Sequence, residues 1–331
     1  MRTALLLLLL SLSSQAASPI RELLKKPASW FQSEDGLTVT KHVLAWQTKH
    51  GDWPKNQDTT SAPSEKDKAS RGTFDNKATT PELRYLAKAY AATNSPDTKQ
   101  AFLKGLEHIL AAQYDNGGWP QRAPGAKGYD RHITFNDGAM IHLLEFLQAV
   151  VAEDTYTFIS QKQRTEAANA IKQGISCILA CQIIIDGKRA VWCAQHDRDT
   201  LAPAGARSYE LPSLSGGESA GILRFLMKLP SPSPEVSEAI KAGVRWYESS
   251  KLTGIRLEKR DDDRVIVEDQ EAPPLWARFY DLETQRPFFC GRDGVKKASL
   301  AEIEHERRNG YSWYGTSGTK LAKEFEAWQA R

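Results

Sequence analysis

The sequence predicts a mainly α-helical fold, an (α/α)3 toroid: an incomplete barrel of antiparallel helical hairpins with long irregular loops and short strands. Three observations predict it. One type of helix ending recurs along the chain, a Thr-Phe-Asx-Asx motif recurs ahead of the helices, and apolar residues recur at spacings of three and four. Such hairpins bury their apolar faces only against neighbours, so successive hairpins are expected to surround a common core.

The recurring helix ending joins a glutamine to a tryptophan a few residues downstream. The pairs are Gln47 with Trp53, Gln113 with Trp119 and, in a looser third copy, Gln182 with Trp192. The distance between successive copies suits one pair of helices with its connecting loops. Most tryptophans are therefore expected in the core, where a Gly-Trp-Pro ending forms a packing corner.

The second repeat marks the loops ahead of three predicted helices. Thr73-Phe74-Asp75-Asn76 precedes the first, Thr134-Phe135-Asn136-Asp137 the second, and a Ser/Gly-rich stretch, 213–217, the third. The three predicted hairpins pair about 81–92 with 98–113, 139–152 with 163–184, and 218–227 with 234–249. The loops before the first helix of each pair are expected to gather at one end of the fold. An open solenoid is the competing arrangement.

The chain changes character after about residue 250. Pro273, Pro274 and the glycines that follow exclude a long helix there. We expect loops and short strands that cover one face of the helical body. The charged run at 260–264 is interpreted as a solvated loop.

The first 17 residues have the pattern of a secretory signal: a basic start, a short apolar run and small residues at the cleavage position. Residues 18–331 then form a single domain of a bacterial secreted or periplasmic protein. No later segment is apolar for long enough to span a bilayer. We therefore expect no membrane partner, and we expect a monomer.

Composition excludes some partners. Lys and Arg number 44 against 41 Asp and Glu, which lacks the basic excess that binding to nucleic acid requires. A local basic cleft for an acidic substrate stays possible. Cys177, Cys181, Cys193 and Cys290 are too few for a disulfide framework, although export permits one bridge. Core thiols are favoured over a metal or redox role.

Asp75-Asn76 and Asn136-Asp137 allow two explanations. Asx residues at helix starts commonly cap the free N–H groups. The repeated motif, however, predicts that both pairs meet at the same end of the fold, and carboxylate and amide oxygens are the ligands that Ca²⁺ prefers. The histidines show no spacing typical of a zinc site.

Arginines and tyrosines in irregular segments are the other candidates. Arg207, Arg286 and Arg292 lie among Gly, Pro and aromatic residues, and a guanidinium matches a carboxylate with two parallel hydrogen bonds. A loop-stabilising ion pair is the alternative. Tyr311 and Tyr314 are expected to be more exposed than the tryptophans.

Five segments resemble, in the same order, those of the pectate lyases of polysaccharide lyase family 10. They are Gly117-Gly118-Trp119-Pro120-Gln121, Ile133-Thr134-Phe135-Asn136-Asp137, Trp192-Cys193-Ala194-Gln195-His196-Asp197, Leu201-Ala202-Pro203-Ala204-Gly205-Ala206-Arg207 and Gly291-Arg292-Asp293-Gly294. The resemblance runs from about 36 to 315. It implies an (α/α)3 toroid, a single catalytic domain, anti β-elimination on polygalacturonate and a calcium ion in the active centre.

The resemblance also implies roles for residues. Asp75, Asn76 and Asp137 match the calcium and substrate-carboxylate region, Arg207 matches the catalytic base, and Arg292 matches a substrate-binding arginine. The basic side chain of Lys77 is expected to bind a uronate. For Arg286, Tyr311 and Tyr314 the resemblance gives a position and no role, and we group them with the substrate-binding residues.

A guanidinium is an unusual base because its pKa ordinarily lies above about 12. Calcium, Arg292 and Lys77 are expected to lower the pKa of Arg207, which predicts an alkaline activity optimum. Two rival functions stay open. An inverting glycoside hydrolase would use Asp75 and Asp137 as acid and base, and a non-catalytic pectate-binding protein would use the aromatic residues and arginines.

Overall fold

The computed structural model describes residues 19–331, apart from the side chain of Lys68. The predicted signal segment, 1–17, lies outside the described residues. The fold is mainly α, as predicted. Its helices are α1 Pro19–Leu23, α2 Ala28–Phe31, α3 Glu34–Trp46, α4 Thr80–Thr93, α5 Pro96–Ala111, α6 Ala139–Ala152, α7 Gln161–Cys181, α8 Glu218–Met227, α9 Pro234–Ser249, α10 His305–Gly310 and α11 Leu321–Gln329.

Three helical hairpins, α4–α5, α6–α7 and α8–α9, form the body of the fold. Helix α4 packs against α6 and α6 against α8, while α5 packs against α7 and α7 against α9. The first series is buried over most of its surface, and the second buries one face. The hairpins therefore form an inner and an outer layer within a few residues of the predicted bounds. Closure of the layers into a toroid remains a prediction.

Serine side chains begin the outer helices. Ser95, Ser160 and Ser233 each accept a hydrogen bond from the backbone N–H three residues on, and so cap α5, α7 and α9. The inner helices begin without a side-chain cap, at Thr79, Gly138 and Gly217. No side chain at these three positions therefore accepts a hydrogen bond from the first N–H groups, although Ser215 Oγ accepts from the backbone N–H of Glu218 in α8 (3.3 Å).

The glutamine–tryptophan repeat forms the same contacts three times. Each tryptophan is fully buried. Trp53 Nε1 donates to the Val43 carbonyl (2.8 Å), Trp119 Nε1 to Ile109 (2.8 Å) and Trp192 Nε1 to Ile178 (2.7 Å). The expectation of packing corners is confirmed, because every indole bonds the helix that precedes its loop: α3, α5 or α7.

Each glutamine joins the end of one helix (α3, α5 or α7) to the next outer-layer helix (α5, α7 or α9). Gln47 Nε2 donates to the Ala101 carbonyl (2.8 Å), Gln113 Nε2 to Ala170 (2.9 Å) and Gln182 Nε2 to Ala239 (3.0 Å). Each glutamine also bonds a carbonyl of its own loop. A single side chain in each repeat therefore fixes both the loop and the neighbouring helix.

The strands form six two-stranded antiparallel sheets among the described residues. They are β1 Ile133–Thr134, β2 Ile184–Ile185, β3 Lys188–Arg189, β4 Gln195–His196, β5 Leu214–Ser215, β6 Ile255–Arg260, β7 Asp263–Glu268, β8 Trp276–Ala277, β9 Phe279–Tyr280, β10 Phe289–Cys290, β11 Lys296–Lys297 and β12 Tyr314–Gly315. The pairs are β1–β4, β2–β3, β5–β9, β6–β7, β8–β12 and β10–β11.

The interpretation of 260–264 as a solvated loop is wrong for most of the run. Arg260 pairs with Asp263 at the end of the β6–β7 hairpin, so only the two residues between them form the turn. Asp263 accepts hydrogen bonds from Arg308 Nη2 (2.6 Å) and Asn309 Nδ2 (2.7 Å), which anchors α10. The sequence signals for this hairpin are the alternating Ile255 and Leu257 on β6 and the β-branched run 265–267 on β7.

The main hydrophobic core lies between the helical layers. A smaller core, which includes Tyr209, Phe279, Phe289 and Trp313, lies under the segments after residue 200. All four cysteines are buried free thiols, as the core interpretation predicts. None of the helices in residues 19–331 combines the length and the apolar character that a membrane crossing requires.

Candidate active site

The loops before the inner helices meet at one end of the fold. The 3₁₀ turn Asp75–Lys77 packs against the turn Asn136–Gly138, and the second turn packs against α8. Each loop is fixed to the tryptophan of its repeat: the backbone N–H groups of Thr73, Thr134 and Ser215 donate to the carbonyls of Trp53, Trp119 and Trp192. The expectation that these loops gather is confirmed.

Asn76 and Asp137 occupy the same position in the two copies of the motif. Both adopt left-handed backbone conformations, with φ 51° in each, which Asn and Asp tolerate better than most residues. Neither side chain caps a helix, because α4 and α6 begin at Thr79 and Gly138 without a side-chain hydrogen bond. Capping therefore does not explain the repeated Asx pair.

Asp75 is buried and its carboxylate is heavily engaged. Oδ2 accepts hydrogen bonds from Lys55 Nζ and from Gln121 Nε2 (2.8 Å), and Oδ1 accepts from the backbone N–H of Asn76 (2.9 Å). The Asn76 amide donates to Asn56 Oδ1 (3.0 Å). Lys55 and Gln121 were not predicted, because they reach Asp75 from distant loops.

Asp137 is exposed to solvent and accepts a hydrogen bond from Asn136 Nδ2 (2.8 Å). Surrounding protein nevertheless desolvates the carboxyl, which raises its pKa; Glu218 and Asp75 add to the rise, while Arg278 and Lys55 oppose it. Asp75 and Asp137 thus lie in one electrostatic neighbourhood. Concentrated negative charge at an open position favours a bound cation.

Glu218 and Arg278 are central residues of the site that sequence reasoning missed. Arg278 Nη2 donates to Glu218 Oε1 (3.0 Å) and to Asn136 Oδ1 (3.0 Å). Burial lowers the pKa of Arg278, but Glu218, Tyr311 and Asp137 more than offset this, so its pKa lies above the ordinary value. A signal was present: Arg278 lies between aromatic residues, and Glu218 begins the third inner helix.

Arg207 is held by Glu210. Arg207 Nε donates to Glu210 Oε2 (2.7 Å) and Nη2 donates to Oε1. This contact raises the pKa of Arg207, against the lowering effect of burial. The expectation that Arg292 and Lys77 lower this pKa is wrong, because the group in direct contact with the guanidinium is a carboxylate. The effect of a calcium ion on this pKa stays a prediction.

Tyr209 and Tyr311 form an aromatic platform between the arginines. The Arg207 guanidinium lies 4.8 Å from the Tyr209 ring and 5.6 Å from the Tyr311 ring. Arg278 lies on Tyr311 at 4.5 Å, and the buried Arg307 lies on Tyr209 at 4.5 Å. Tyr311 is half-buried and donates to Glu210 Oε1 (2.7 Å), so its expected exposure is only partial.

The remaining predicted residues lie at different distances from this platform. The Arg292 guanidinium is 6.0 Å from the Tyr209 ring and bonds Glu306 through Nε and Nη2 (3.1 Å each). Lys77 is exposed beside Asp137; desolvation and Arg21 lower its pKa, and Asp137 opposes them. Tyr314 packs its ring against Phe289 (5.2 Å) and is half-buried.

Arg286 is exposed on the turn between β9 and β10, where its backbone N–H donates to Thr284 Oγ1 (3.3 Å). No contact among the described residues joins its side chain to the platform. The part of the chain that the structure describes also contains no group of three or more His, Cys, Asp or Glu side chains already arranged around a metal position.

Comparison with known proteins gives the family. The sequence model of the family described as pectic acid lyase matches residues 47–322. A structure of the Family 10 polysaccharide lyase from Cellvibrio cellulosa has 34% identity and a TM-score of 0.82, with 95% of this chain and 97% of that chain covered. No curated protein matches the chain significantly.

A second structure is of a mutant of that lyase in complex with trigalacturonic acid. It has 34% identity and a TM-score of 0.81, with 94% of this chain and 97% of that chain covered. These matches extend over nearly the whole fold and favour a lyase over the two rival functions. The chain therefore belongs to the pectic acid lyase family and is a pectate lyase, as its resemblance to the family 10 polysaccharide lyases implies.

Proposed function

We propose that this enzyme cleaves polygalacturonate by calcium-dependent anti β-elimination and releases 4,5-unsaturated oligogalacturonates. One observation carries the proposal: Asp75, Asp137 and Glu218 meet beside Arg278, and Arg278 shares the Tyr311 ring with Arg207. The bound trigalacturonic acid of the Cellvibrio cellulosa relative supports an acidic sugar chain as the substrate.

The cationic side chains supply the substrate contacts in this proposal. Arg278 is largely buried and paired with Glu218, whereas the side chains of Lys77 and Arg292 are exposed to solvent. Guanidinium groups bind uronate carboxylates through paired hydrogen bonds. We retain Arg286, Tyr311 and Tyr314 as substrate-binding candidates, with Tyr311 the best supported because it contacts both Arg207 and Arg278.

The residues present fit a calcium ion. Asp137 offers an exposed carboxylate whose pKa is raised by desolvation and by neighbouring carboxylates, and Asn76 adds an amide oxygen. Asp75 would become a ligand by exchanging its contact with Lys55 or Gln121 for the ion. Calcium takes six to eight oxygen ligands, so about half would come from water and substrate at such an open position. When bound, the ion would neutralise the uronate carboxylate and so make the C5 proton more acidic.

Elimination removes the proton from C5 of a galacturonate and breaks the bond between C4 and the glycosidic oxygen. The electron pair of the C5–H bond becomes the new C4–C5 double bond, and water protonates the leaving oxygen. Arg207 is the proposed base. Its Nε and Nη2 are held by Glu210, so Nη1 is the nitrogen left to face the substrate.

The finer properties of the protein are proposed with the function. Residues 18–331 would form a single catalytic (α/α)3 toroid that acts as a monomer. The enzyme would be secreted or periplasmic, which suits a large extracellular polysaccharide as substrate. The signal pattern of the first 17 residues supports this location.

The test follows unsaturated product by ultraviolet absorbance with polygalacturonate as the substrate. We expect product that requires calcium, disappears with a chelator and returns when calcium is restored. Arg207→Ala should lower kcat by at least about 1000-fold. Arg245→Ala is the matched control, because Arg245 pairs with Glu238 on the outer helix α9. Cleavage without absorbance would indicate hydrolysis and overturn the proposal.

A further inference from the structure

One edge of the Arg207 guanidinium is hydrogen-bonded to a carboxylate, and the other edge faces away from it. Nε and Nη2 donate to the two oxygens of Glu210, and the backbone N–H of Arg207 also donates to Glu210 Oε2 (3.2 Å). Among residues 19–331, no hydrogen bond occupies Nη1. The bidentate pair therefore fixes which nitrogen points away from Glu210.

Glu210 is itself held firmly. Its side chain is 11% exposed, against 46% for Arg207. It accepts a further hydrogen bond from the Tyr311 hydroxyl (2.7 Å). Burial raises the pKa of Glu210, but its bonds to Arg207 and Tyr311 outweigh this and lower it. The carboxylate thus stays ionised and immobile while Arg207 projects from it.

One side of the Arg207 guanidinium is also restricted, because the neighbouring rings of Tyr209 and Tyr311 lie 4.8 and 5.6 Å from it. A carboxylate on one edge and two rings on one side limit the rotation of the guanidinium. Holding a reacting group in its productive orientation accelerates the reaction.

We propose that Glu210 is the positioning residue of the elimination: it fixes the guanidinium plane of Arg207 and aims Nη1 at the substrate. This inference rests on the proposed function, in which Arg207 removes the C5 proton. Glu210 remains a carboxylate throughout and contacts no reacting atom.

The charge of Glu210 has a consequence for pH dependence. The groups that face Arg207 are Glu210 and Tyr209 from its own loop and Tyr311 from the segment after α10, with Arg278, Arg292 and Arg307 across the two rings. Glu210 is the carboxylate in contact, and it raises the pKa of Arg207. Removing this charge must make neutral Arg207 available at lower pH.

The experiment compares wild-type enzyme with Glu210→Gln and Glu210→Asp, using product absorbance from about pH 7 to about pH 11. We expect Glu210→Gln to lower kcat roughly 100-fold with little change in KM. Its rate should also begin to level off toward about pH 11, where that of the wild type is still rising, because the bond to Glu210 keeps the pKa of Arg207 above this range. Glu210→Asp keeps the charge, so it should keep the wild-type profile and recover part of kcat.

Glu306→Gln is the matched control. Glu306 holds Arg292 through the same two nitrogens but does not contact Arg207, so this substitution should leave the shape of the pH profile unchanged. A ¹⁵N spectrum of the arginine Nε–H groups gives a second readout, because Glu210→Gln should shift the Arg207 signal. Circular dichroism establishes that each variant is folded.

A loss of kcat in Glu210→Gln with an unchanged pH profile and an unchanged Arg207 signal would reduce Glu210 to a structural residue and overturn the inference. The Arg207→Ala background separates this result from failure of the proposed function. If Glu210 acts through Arg207, adding Glu210→Gln to Arg207→Ala changes the residual rate by less than about twofold. A wild-type enzyme without unsaturated product would instead contradict the proposed function itself.

Discussion

The Arg278 guanidinium lies 4.5 Å from the centre of the Tyr311 ring, and this contact joins the two halves of the candidate site. On one side, Arg278 bonds Glu218 and Asn136 beside Asp137. On the other, the Tyr311 hydroxyl bonds the carboxylate that holds Arg207. The position of the proposed base is thereby linked to the acidic turns through one tyrosine.

Substitutions of Tyr311 should separate its ring from its hydroxyl. Tyr311→Phe keeps the ring under Arg278 and loses one hydrogen bond to Glu210, so we expect a loss in kcat/KM of roughly 10-fold. Tyr311→Ala removes the platform under two guanidiniums, and the loss should reach roughly 100-fold or more. Steady-state kinetics on polygalacturonate measures both. Equal losses in the two variants would contradict a role for the ring.

Neutralising Asp137 should weaken calcium binding. Affinity for Ca²⁺ depends on the number of charged oxygen ligands, and Asp137 is the exposed carboxylate of the acidic turns. For Asp137→Asn, the calcium concentration that gives half-maximal activity should rise at least about tenfold. Titration calorimetry gives the affinity directly. Asp154→Asn, at an exposed turn before α7, is the control and should leave the affinity unchanged.

Much of the helical body could be predicted from the sequence. Apolar spacings and the glutamine–tryptophan repeat give the hairpins within a few residues, because each repeat forms the same local bonds. The β6–β7 hairpin was missed, because the charged residues at its turn obscured the short apolar segments on either side. The fold depends on apolar contacts between segments that are distant in the chain. The spacing of apolar residues indicates such contacts clearly only where a helix buries one face.

The site was less accessible to prediction. The repeated Asx motif and the isolated Arg207 were visible as patterns, whereas Lys55, Gln121 and Arg278 reach the acidic turns from loops far away in the chain. The direction of the pKa shift of Arg207 depended on Glu210, only three residues on. Local spacing predicts neighbours on a helix, but in a loop it does not say which side chains meet.

Glu82 should make the stability of the protein depend on pH. The residue is buried in α4; Thr59 Oγ1 donates to its Oε1 (3.1 Å), and its Oε2 has no hydrogen-bond partner among the described residues. Burial raises the pKa of Glu82 to about 7. The unfolded chain releases this proton near pH 4.3, so the free energy of unfolding falls as pH rises from about 4.3 to 7 and stays low above.

Glu82→Gln removes this penalty. The substitution should raise the free energy of unfolding by about 2 to 3 kcal/mol more at pH 8 than at pH 5. Urea unfolding at the two pH values measures the difference. Glu107→Gln, exposed on α5, is the control and should differ by less than about 0.5 kcal/mol between them. An equal effect of Glu82→Gln at both pH values would show that Glu82 is ionised in the folded protein throughout this range.

Gln113 should stabilise the fold through its two simultaneous hydrogen bonds. Its Nε2 donates to the carbonyls of Gly117 and Ala170, both at 2.9 Å. Gln113→Ala leaves both carbonyls without this donor, and the free energy of unfolding should fall by about 1 to 3 kcal/mol. Gln113→Glu should cost more, because a carboxylate has no N–H to donate and would repel both oxygens. Urea unfolding measures each variant against Gln100→Ala, an exposed position on α5 where we expect almost no change. If Gln113→Ala were as stable as Gln100→Ala, the three repeated glutamines would not be what joins the outer helices, and apolar packing between α5 and α7 would have to suffice.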